Sequence, residues 1–319
     1  MILILSKREL DASTSDVMDW LDYLGGDYRR LNGSDYMREL SFSNLDINTS
    51  INLDEINVVW FRRWFDESDL PQRVSNIRAS NDNLTKIYTQ LSKEYNTLST
   101  FFFDKLKDKH WLSNPANASM NKLNVLYKAK KIGIDIPESF VTTSKAELIE
   151  FSQKHDSLIT KAIGEGQMFP NRSDFLLMRT NRVTKEVIND LPDTFFPSLF
   201  QAEIKKKYEL RIVLFDDVFY SMAIFSQLDE QTQVDFRNYN LVKPNRRTPY
   251  KLDTEIENKL RRLMNSLELT TGSIDMVRDL EGRYVFLEVN PVGQFGMTSG
   301  PCNFKLEKKI AEYLIRHDK

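Results

Sequence analysis

The chain is poor in the residues on which thiol chemistry and disulfide scaffolds depend. Its 319 residues include one cysteine, Cys302, and three histidines. A single cysteine cannot form an intramolecular disulfide, and no Cys-His pattern of a thiol nucleophile accompanies it. We therefore expect a cytoplasmic protein whose chemistry does not use a catalytic thiol.

Long apolar runs and an excess of one charge are also missing. Runs such as residues 56–61 fall far below the roughly 20 residues needed to cross a bilayer, and the apolar start at residues 1–5 lacks the basic flank of a signal peptide. The 44 Lys and Arg nearly balance the 46 Asp and Glu. With no overall field to attract them, neither nucleic acid nor a membrane is expected as a partner.

The chain has the composition of a folded protein with several subdomains. Hydrophobic residues make up 41% and charged residues 28%, and the length exceeds one ordinary core of roughly 100 to 200 residues. The polar, proline-containing stretch 110–115 marks a boundary. We predict an N-terminal α/β lobe at residues 1–112, a central lobe at 113–200 and a C-terminal lobe at 201–319.

Hydrophobic periodicity predicts a fold of mixed class, α/β (α+β), in which helices and strands alternate at first and strands dominate later. The predicted strands include residues 1–5, 56–64, 139–142 and 157–162. The predicted helices lie near residues 15–24, 81–107, 116–132, 145–154 and 304–316. Two helix ends have specific signals, because Gly133 is a C-terminal stop and Ser144 with Glu147 forms a capping box. Hairpin turns are predicted at Asp216-Asp217 and at Glu281-Gly282.

The clearest chemical signal is a pair of strands near the C-terminus that carry oxygen ligands. Glu288 and Asn290 alternate along one strand and so share a face. A two-residue turn at Glu281-Gly282 would place Asp275 directly opposite Glu288, and a four-residue turn would make the two diagonal neighbours. Two carboxylates on one face repel unless a cation lies between them, which favours Mg²⁺. A solvated face is the alternative, but Leu287 and Val289 indicate a core strand.

A second group of residues is basic. Lys122 lies near the start of a helix, and Lys161 ends an apolar strand directly before the glycine-containing stretch 162–166. Lysine side chains and backbone N–H groups in such places bind phosphates. Each lysine taken alone is more simply explained as a solvated surface charge.

A third segment, residues 199–204, resembles a hinge between two lobes. It contains Gln201, Glu203 and Ile204, whose backbone groups could read an adenine edge. In the strand that follows, Glu209 and Arg211 share one face. Glu209 suits a ribose contact and Arg211 a phosphate or carboxylate contact; the alternative is that the two pair with each other.

In order and spacing these segments resemble the ATP-grasp superfamily over roughly residues 111–314, most specifically in Leu287-Glu288-Val289-Asn290-Pro291. The resemblance implies that Lys122 and Lys161 bind the phosphates of ATP and that the hinge binds adenine through Glu203 and Ile204, with Gln201 beside them. It also implies that Glu209 binds ribose and that Asp275, Glu288 and Asn290 hold Mg²⁺. Arg237 matches an arginine that faces the γ-phosphate, unless it is a surface strand arginine.

A narrower resemblance rests on residues 58–63, 111–115, 293–296 and 301–311. These are similar to the peptide-macrocyclising ligases of graspetides, the microviridin-type ribosomal peptides, and most of all to the grasp-with-spasm maturase branch. A buried strand that ends in surface arginines would also explain residues 58–63. The resemblance implies an enzyme that activates Asp or Glu side chains of a precursor peptide as acyl phosphates. Thr or Ser hydroxyls, or Lys amines, would then attack, with the oxyanion stabilised by Arg211 or Arg237.

Two rival functions remain open at this point. A ligase of the same superfamily could act on amino acids or a protein tail, in the manner of a glutamate ligase. A nucleotide-binding regulatory protein with a degenerate site is the other, although the complete Asp275, Glu288 and Asn290 set favours a working enzyme. Because ATP-grasp relatives are often dimers, the resemblance also implies a homodimer.

Overall fold

The structure is a computed structural model that describes residues 1–8, 11–35, 40–65, 80–164, 166, 168–171, 174–229, 231–238 and 240–319. The chain folds into two compact units. The first unit comprises Met1–Ala118, Gln294–Ser299 and Phe304–Lys319, and the second comprises Ser119–Gly293 and Gly300–Asn303. The three-lobe division remains a prediction from the sequence.

The elements follow one another in an alternating order at first and become strand-rich later. The strands are β1 (Ile2–Ser6), β2 (Tyr28–Asn32), β3 (Leu40–Ser43), β4 (Asp46–Thr49), β5 (Val58–Phe61), β6 (His110–Leu112), β7 (Ser139–Ser144), β8 (Leu158–Lys161), β9 (Met168–Asn171), β10 (Asp174–Leu177), β11 (Asn181–Val183), β12 (Thr194–Ala202), β13 (Lys206–Phe215), β14 (Val218–Phe225), β15 (Arg246–Tyr250), β16 (Gly272–Asp279) and β17 (Tyr284–Asn290). The helices are α1 (Ala12–Leu24), α2 (Asn81–Lys105), α3 (Lys122–Ile132), α4 (Lys145–Ser152), α5 (Lys185–Asp190), α6 (Thr254–Ser266), α7 (Gly296–Cys302) and α8 (Leu306–His317).

The first unit is built on a parallel sheet in the order β2-β1-β5-β6. Every residue of β1 and β5 is buried, as expected for parallel strands that are covered on both faces. Helix α1 ends where predicted, because Gly25 adopts a left-handed conformation with φ of 73°. Strands β3 and β4 form a separate antiparallel hairpin.

Besides the β9–β10 hairpin, the second unit contains two larger antiparallel sheets in the described residues, and each has a hydrophobic core. The sheet β11-β8-β12-β7 packs its apolar face on α4 and α5 through residues that include Leu148, Phe151 and Phe200. The sheet β15-β14-β13-β16-β17 packs one face on α3 and α6. Alternation along its strands leaves the opposite face to polar side chains. That polar face contains the sequence-predicted metal ligands.

Strand β17 contains a bulge that sets which side chains share the polar face. Near the turn Met276 lies opposite Phe286, whereas Asp275 lies opposite Glu288, so Leu287 is an extra residue. Without it Asp275 would face Leu287, because a shift of one residue exchanges the faces of a strand. The bulge therefore makes the direct Asp275–Glu288 pairing possible. It also places Leu287 on the polar face rather than in the core, which corrects the prediction for that residue.

Most predicted elements are confirmed with small shifts at their ends. The Asp216-Asp217 turn has positive φ at both residues, and Gly282 has φ of 84° in the other predicted hairpin. Ser144 caps α4 by accepting a hydrogen bond from the Glu147 N–H. The helix predicted to begin near residue 116 was wrong at its start. Residues Pro115–Asn117 form a 3₁₀ turn, and α3 begins only at Lys122, capped by Asn121.

Within the described ranges, every helix is too short or too polar to cross a membrane. Cys302 is buried and unpaired by disulfide. The glycine-containing stretch after β8 is described only in part, because Glu165 lies outside the described residues, and so does Tyr239 next to the predicted Arg237 segment.

The hydrophobic core between α6 and the C-terminal sheet leads to a prediction about stability. Leu260 is fully buried there, so Leu260→Ala removes buried methyl groups and leaves a cavity. We expect it to lower the free energy of unfolding by about 2 to 5 kcal/mol, measured by urea denaturation. Leu241→Ala is the matched control, because Leu241 is 91% exposed and its loss should change stability by less than about 0.5 kcal/mol. Equal effects from the two changes would contradict this core assignment.

Candidate functional site

A cleft in the second unit lies between the polar face of the C-terminal sheet and the strands of the other sheet. Its empty space of about 820 Å³ includes open solvent, so the cleft is a surface opening rather than an enclosed cavity. The sequence-predicted site residues that line it are Lys161, Gln201, Glu203, Ile204, Glu209, Arg237, Asp275 and Glu288. The fold thus gathers most of the predicted set from five separate segments of the chain.

Asp275, which lines the cleft, forms a buried ion pair with Arg211. They lie opposite each other on β16 and β13, and Arg211 Nη1 donates to both carboxylate oxygens at 2.6 and 2.7 Å. Both residues are buried. Burial raises the pKa of Asp275, and the Glu288 charge adds to that rise, while the Arg211 guanidinium opposes it. Two nearby carboxylates thus repel each other, as the sequence suggested.

Glu288 is surrounded by cations. Its Oε2 lies 3.5 Å from Lys122 Nζ and its Oε1 lies 3.8 Å from Arg237 Nη1. Burial alone would raise the pKa of Glu288, but Lys122, Lys161 and Arg237 together hold it below its ordinary value. Glu288 is therefore ionised at neutral pH, as a metal ligand must be.

Arg237 is fixed by a neighbouring carboxylate that the sequence analysis did not identify. Asp235 accepts from Arg237 Nε and Nη2 at 2.8 Å each, so that Nη1 is left to approach Glu288. The hydrogen bond from Arg237 to Asp235 raises the pKa of Arg237. The segment is a turn rather than a strand, but the Arg237 side chain is 54% exposed, so the alternative of a surface strand arginine is wrong only about the strand.

Lys161 ends β8 and forms no ion pair within 4.0 Å among the described residues, in contrast to Lys122. Its burial lowers its pKa, as do the charges of Lys122 and Arg237, and Glu288 counteracts them. A half-buried cation without a close carboxylate is favourable for an anion such as a phosphate.

The predicted hinge presents unused hydrogen-bonding groups to the cleft. The Oε1 atom of Gln201 is buried and has no partner, while its Nε2 donates to Ser139. The Glu203 N–H donates to the Ser157 carbonyl, and its side chain pairs with Arg182 and Ser157. Among the described residues, neither the Glu203 carbonyl nor the Ile204 N–H has a hydrogen-bond partner. One free acceptor and one free donor on adjacent residues are what an aminopurine edge requires.

Glu209 faces the cleft beside the hinge. Its carboxylate accepts from Ser226 at 2.7 Å and lies 2.8 Å from Lys206 Nζ. Burial raises the pKa of Glu209, although Lys206 and Ser226 both act to lower it. Pairing between Glu209 and Arg211, the alternative from the sequence, does not occur, because Arg211 binds Asp275 on the next strand.

The three predicted metal ligands have the right chemistry for a hard cation. Asp275 and Glu288 are directly opposite, and Asn290 is paired with Ser273 two residues further along the ladder. A Cβ at Gly293 would lie 2.3 Å from Ser273 Oγ, so only glycine allows the chain to pass so close to this strand. In the described part of the chain there is no group of three or more His, Cys, Asp or Glu that could hold a metal alone. Two carboxylates and an amide oxygen fit Mg²⁺ that is also bound by phosphates.

The sequence analysis missed Lys206, Asp235, Ser226 and Arg182. Each forms a hydrogen bond or an ion pair with a residue that the sequence did predict. Two of them had a local signal, since Lys206 stands three residues before Glu209 and Asp235 two residues before Arg237. The contacts of Ser226 and Arg182 cross between strands and had none.

Known proteins were compared with the chain by sequence and by structure. The chain matches no protein-family profile and no curated protein sequence at a significant level. By structure it is similar to the RiPP-associated ATP-grasp ligase of Chryseobacterium gregarium, solved with ADP and a leader and core peptide, at 25% identity and a TM-score of 0.81, covering 98% of this chain and 95% of that one.

Two further solved structures are similar over nearly their whole length. The macrocyclase MdnC of Microcystis aeruginosa, bound with the precursor peptide MdnA, is 24% identical with a TM-score of 0.80, covering 99% of each chain. The ATP-grasp ligase PsnB, complexed with a minimal precursor, Mg and ADP, is 16% identical with a TM-score of 0.76, covering 100% of this chain and 97% of that one. The chain has the ATP-grasp fold, which confirms the fold expected from the motifs and the resemblance to peptide ligases of this fold. The finer placement in the grasp-with-spasm branch stays a prediction.

The buried Arg211–Asp275 pair generates a prediction about pH. Arg211→Met removes the charge that opposes the raised pKa of Asp275, so we expect this pKa to rise further. A group with a raised folded-state pKa stabilises the fold fully below its unfolded value, and this contribution is lost as the pH rises through the folded value. The free energy of unfolding of Arg211→Met should therefore fall as the pH rises above 3.8. The measurement is urea denaturation across pH, with the Arg211→Met/Asp275→Asn double variant as control. If both variants show the same pH dependence, Asp275 is not the group responsible.

Proposed function

We propose that the chain is an ATP-dependent ligase that activates Asp or Glu side chains of a ribosomal precursor peptide and joins them to Thr or Ser hydroxyls, or to Lys amines, in macrocycles. The observation that carries the proposal is the direct opposition of Asp275 and Glu288 on the polar face of the cleft, with Arg211, Lys122 and Arg237 around them. This arrangement suits a nucleotide that arrives with a divalent cation.

Each remaining part of the cleft has a role toward ATP in this proposal. The Glu203 carbonyl and the Ile204 N–H bind the adenine edge, with Gln201 Oε1 beside them. Glu209 accepts a hydrogen bond from ribose. Lys122 and Lys161 bind phosphate oxygens, since their ammonium groups lie near Glu288, where a metal-bound phosphate would be anchored.

Asp275, Glu288 and Asn290 would hold Mg²⁺, which supplies charge neutralisation for the transferred phosphoryl group when it is bound. The protein contributes positioning and fixed charge. Asp235 holds two nitrogens of Arg237 so that the third faces the Glu288 side of the cleft. From there Arg237 can stabilise the negative charge that develops on the γ-phosphoryl oxygens.

The reaction has two steps. A carboxylate oxygen of the peptide attacks the γ-phosphorus, an O–P bond forms, the bond to the ADP oxygen breaks, and ADP leaves with its electron pair. A hydroxyl or amine of the same peptide then attacks the acyl carbon of the acyl phosphate. An ester or amide forms, inorganic phosphate leaves, and the proton of the nucleophile passes to phosphate or solvent. Arg211 Nε is buried and has no partner, so it is a second donor, besides Arg237, for the oxyanion of this step.

The peptide substrate is proposed from similarity together with the site. Three of the similar structures were solved with leader, core or precursor peptides, and they cover this chain almost completely. The chain also has a second compact unit besides the one that contains the nucleotide cleft. We further propose that the reaction takes place in the cytoplasm, where ATP is available, and that the active form is a homodimer.

A carboxylate-to-amide change tests the metal assignment. Glu288→Gln keeps the size of the side chain but removes one of two proposed anionic ligands, so we expect ATP consumption to fall at least about 100-fold with an unchanged melting temperature. ADP release is measured with Asp- and Glu-containing candidate precursors and with free amino acids. Glu281→Gln is the matched control, because Glu281 lies exposed in the turn of the same hairpin and its removal should leave ADP release unchanged. Parental turnover in Glu288→Gln would rule out the metal site, and stimulation by free amino acids alone would rule out a peptide substrate.

A backbone change tests the adenine assignment. Ile204→Pro removes the free N–H, and loss of one hydrogen bond to a bound base costs about 1 to 2 kcal/mol, so we expect the ATP dissociation constant to rise roughly 5- to 30-fold. Ile204→Ala keeps the N–H and should change the constant much less. Isothermal titration calorimetry with ATP measures both, after thermal unfolding has shown that both variants fold. Equal affinities of the two variants for ATP would show that the Ile204 N–H does not bind adenine.

A further inference from the structure

The carboxyl edge of the parallel sheet in the first unit contains polar groups that the ligase chemistry does not use. Strand β1 continues through α1 to β2 on one side, whereas β5 pairs with β1 on the other side. The strand order thus reverses between β1 and β5. In parallel sheets, ligands bind at the carboxyl ends of the strands at such a reversal.

Arg62 follows β5 at this point and its guanidinium is buried with free donors. The residue is 3% exposed, its N–H donates to the Leu5 carbonyl, and neither Nε nor Nη2 has a hydrogen-bond partner among the residues that the structure describes. Nε and Nη2 form one edge of the guanidinium, the edge with which arginine binds the two oxygens of a carboxylate in parallel. Both unused donors of Arg62 therefore lie on one bidentate edge.

The groups around Arg62 leave that edge open for hydrogen bonding. The rings of Trp60 and Phe295 lie 5.4 and 5.2 Å from the guanidinium carbon, where they contact the guanidinium without accepting its N–H bonds. Asp11 Oδ1 is 3.9 Å from Nη2, too far for a hydrogen bond. The other oxygen, Oδ2, accepts from Ser6 and Thr14 at 2.6 Å each.

Other polar atoms in the same unit are also buried without partners. Within the described residues these atoms are Asp11 Oδ1, Ser34 Oγ, Ser92 Oγ, Ser113 Oγ directly after β6, and Thr298 Oγ1 in α7. Buried polar atoms without partners are uncommon in native proteins, and several within one unit need an explanation. A bound ligand that completes their hydrogen bonds is such an explanation.

Two cations and one carboxylate meet at this edge, because both Arg62 and Arg63 act on the ionised Asp11. Burial lowers the pKa of Arg62 to about 10 even though Asp11 opposes the shift, so the guanidinium is charged at neutral pH. The positive end of α1, whose Asp11 cap makes no side-chain hydrogen bond to the helix backbone, is also at this edge. Asp11 is the counter-charge, but Ser6 and Thr14 already use its Oδ2.

We propose that the Nε–Nη2 edge of Arg62 binds a side-chain carboxylate of an Asp or Glu in the peptide substrate. This site is distinct from the nucleotide cleft and rests on the proposed function only for the identity of its ligand. It gives the narrow Trp60–Arg63 resemblance a chemical role, because a buried strand with surface arginines would not leave the Nε–Nη2 edge of a buried guanidinium without hydrogen bonds. Entry of the carboxylate requires movement of a covering residue, and Phe295, directly before Gly296, lies against the guanidinium.

The test uses glutarate, which presents the carboxylate of a Glu side chain, and glutaramide, its neutral counterpart. The full chain is melted in increasing concentrations of each at constant ionic strength. We expect glutarate to raise the melting temperature saturably in the millimolar range, because a ligand that binds only the folded state stabilises it. Arg62→Lys keeps a positive charge but removes the bidentate edge, and should lose the rise. Arg261→Lys, the same change in an arginine of α6 that pairs with Asp217, should keep it.

Three results would overturn the proposal: no rise with glutarate in the parent, the same rise in Arg62→Lys, or an equal rise with glutaramide. If Arg62→Lys does not fold, a crystal of the parent soaked in glutarate decides the question, since density on the Arg62 edge is required. ADP release with peptides is measured separately. A parent that binds glutarate at Arg62 but never releases ADP would refute only the ligase. An active ligase whose Arg62→Lys variant keeps the glutarate response would refute only this site.

Discussion

The mutual repulsion of Asp275 and Glu288 is the constraint on which the cleft depends. Two carboxylates that face each other on a buried sheet surface are unfavourable unless cations compensate them. The chain supplies Arg211 to one and Lys122 and Arg237 to the other, from three different segments. The opposition itself depends on one extra residue, Leu287, whose bulge moves Glu288 onto the face of Asp275. A local irregularity in one strand thus creates the electrostatic condition that a divalent cation would relieve.

Further hydrogen bonds and ion pairs fix the charged side chains along the rest of the cleft. Asp235 fixes two nitrogens of Arg237, and Lys206 connects the Glu209 carboxylate at 2.8 Å with the Val234 carbonyl at 3.0 Å, next to Asp235. Lys161 is left without a close carboxylate among the described residues, and Gln201, Glu203 and Ile204 keep unused polar atoms. The hinge groups and Lys161 are assigned to a ligand because nothing in the described part of the chain satisfies them. Glu209, Lys122 and Arg237 already have partners, and they are assigned by their position beside the hinge and around Glu288.

Much of this could be predicted from the sequence, because it is encoded locally. Period-two alternation predicted that Glu288 and Asn290 share a face, Gly133 and Ser144 predicted helix ends, and the two hairpin turns had their turn residues. The order of the motifs predicted the fold. The bulge at Leu287 could not be predicted, since an alternating strand without it has the same pattern. The partners of Arg211 and Glu209 depend on which strands become neighbours, and strand order is a property of the whole sheet. The late start of α3 at Lys122 reflects competition from the Asn114 and Asn121 caps.

The central claim is that Asp275, Glu288 and Asn290 converge on one cation together with ATP. A crystal structure with Mg²⁺ and a non-hydrolysable ATP analogue tests it most directly. The account predicts one magnesium within about 2.0 to 2.2 Å of an oxygen from each side chain and from the nucleotide phosphates. It also predicts that Asp275 then shares its oxygens between the metal and Arg211. A magnesium bound by phosphates and water alone, with Asp275 and Glu288 still held only by their present cations, would contradict it.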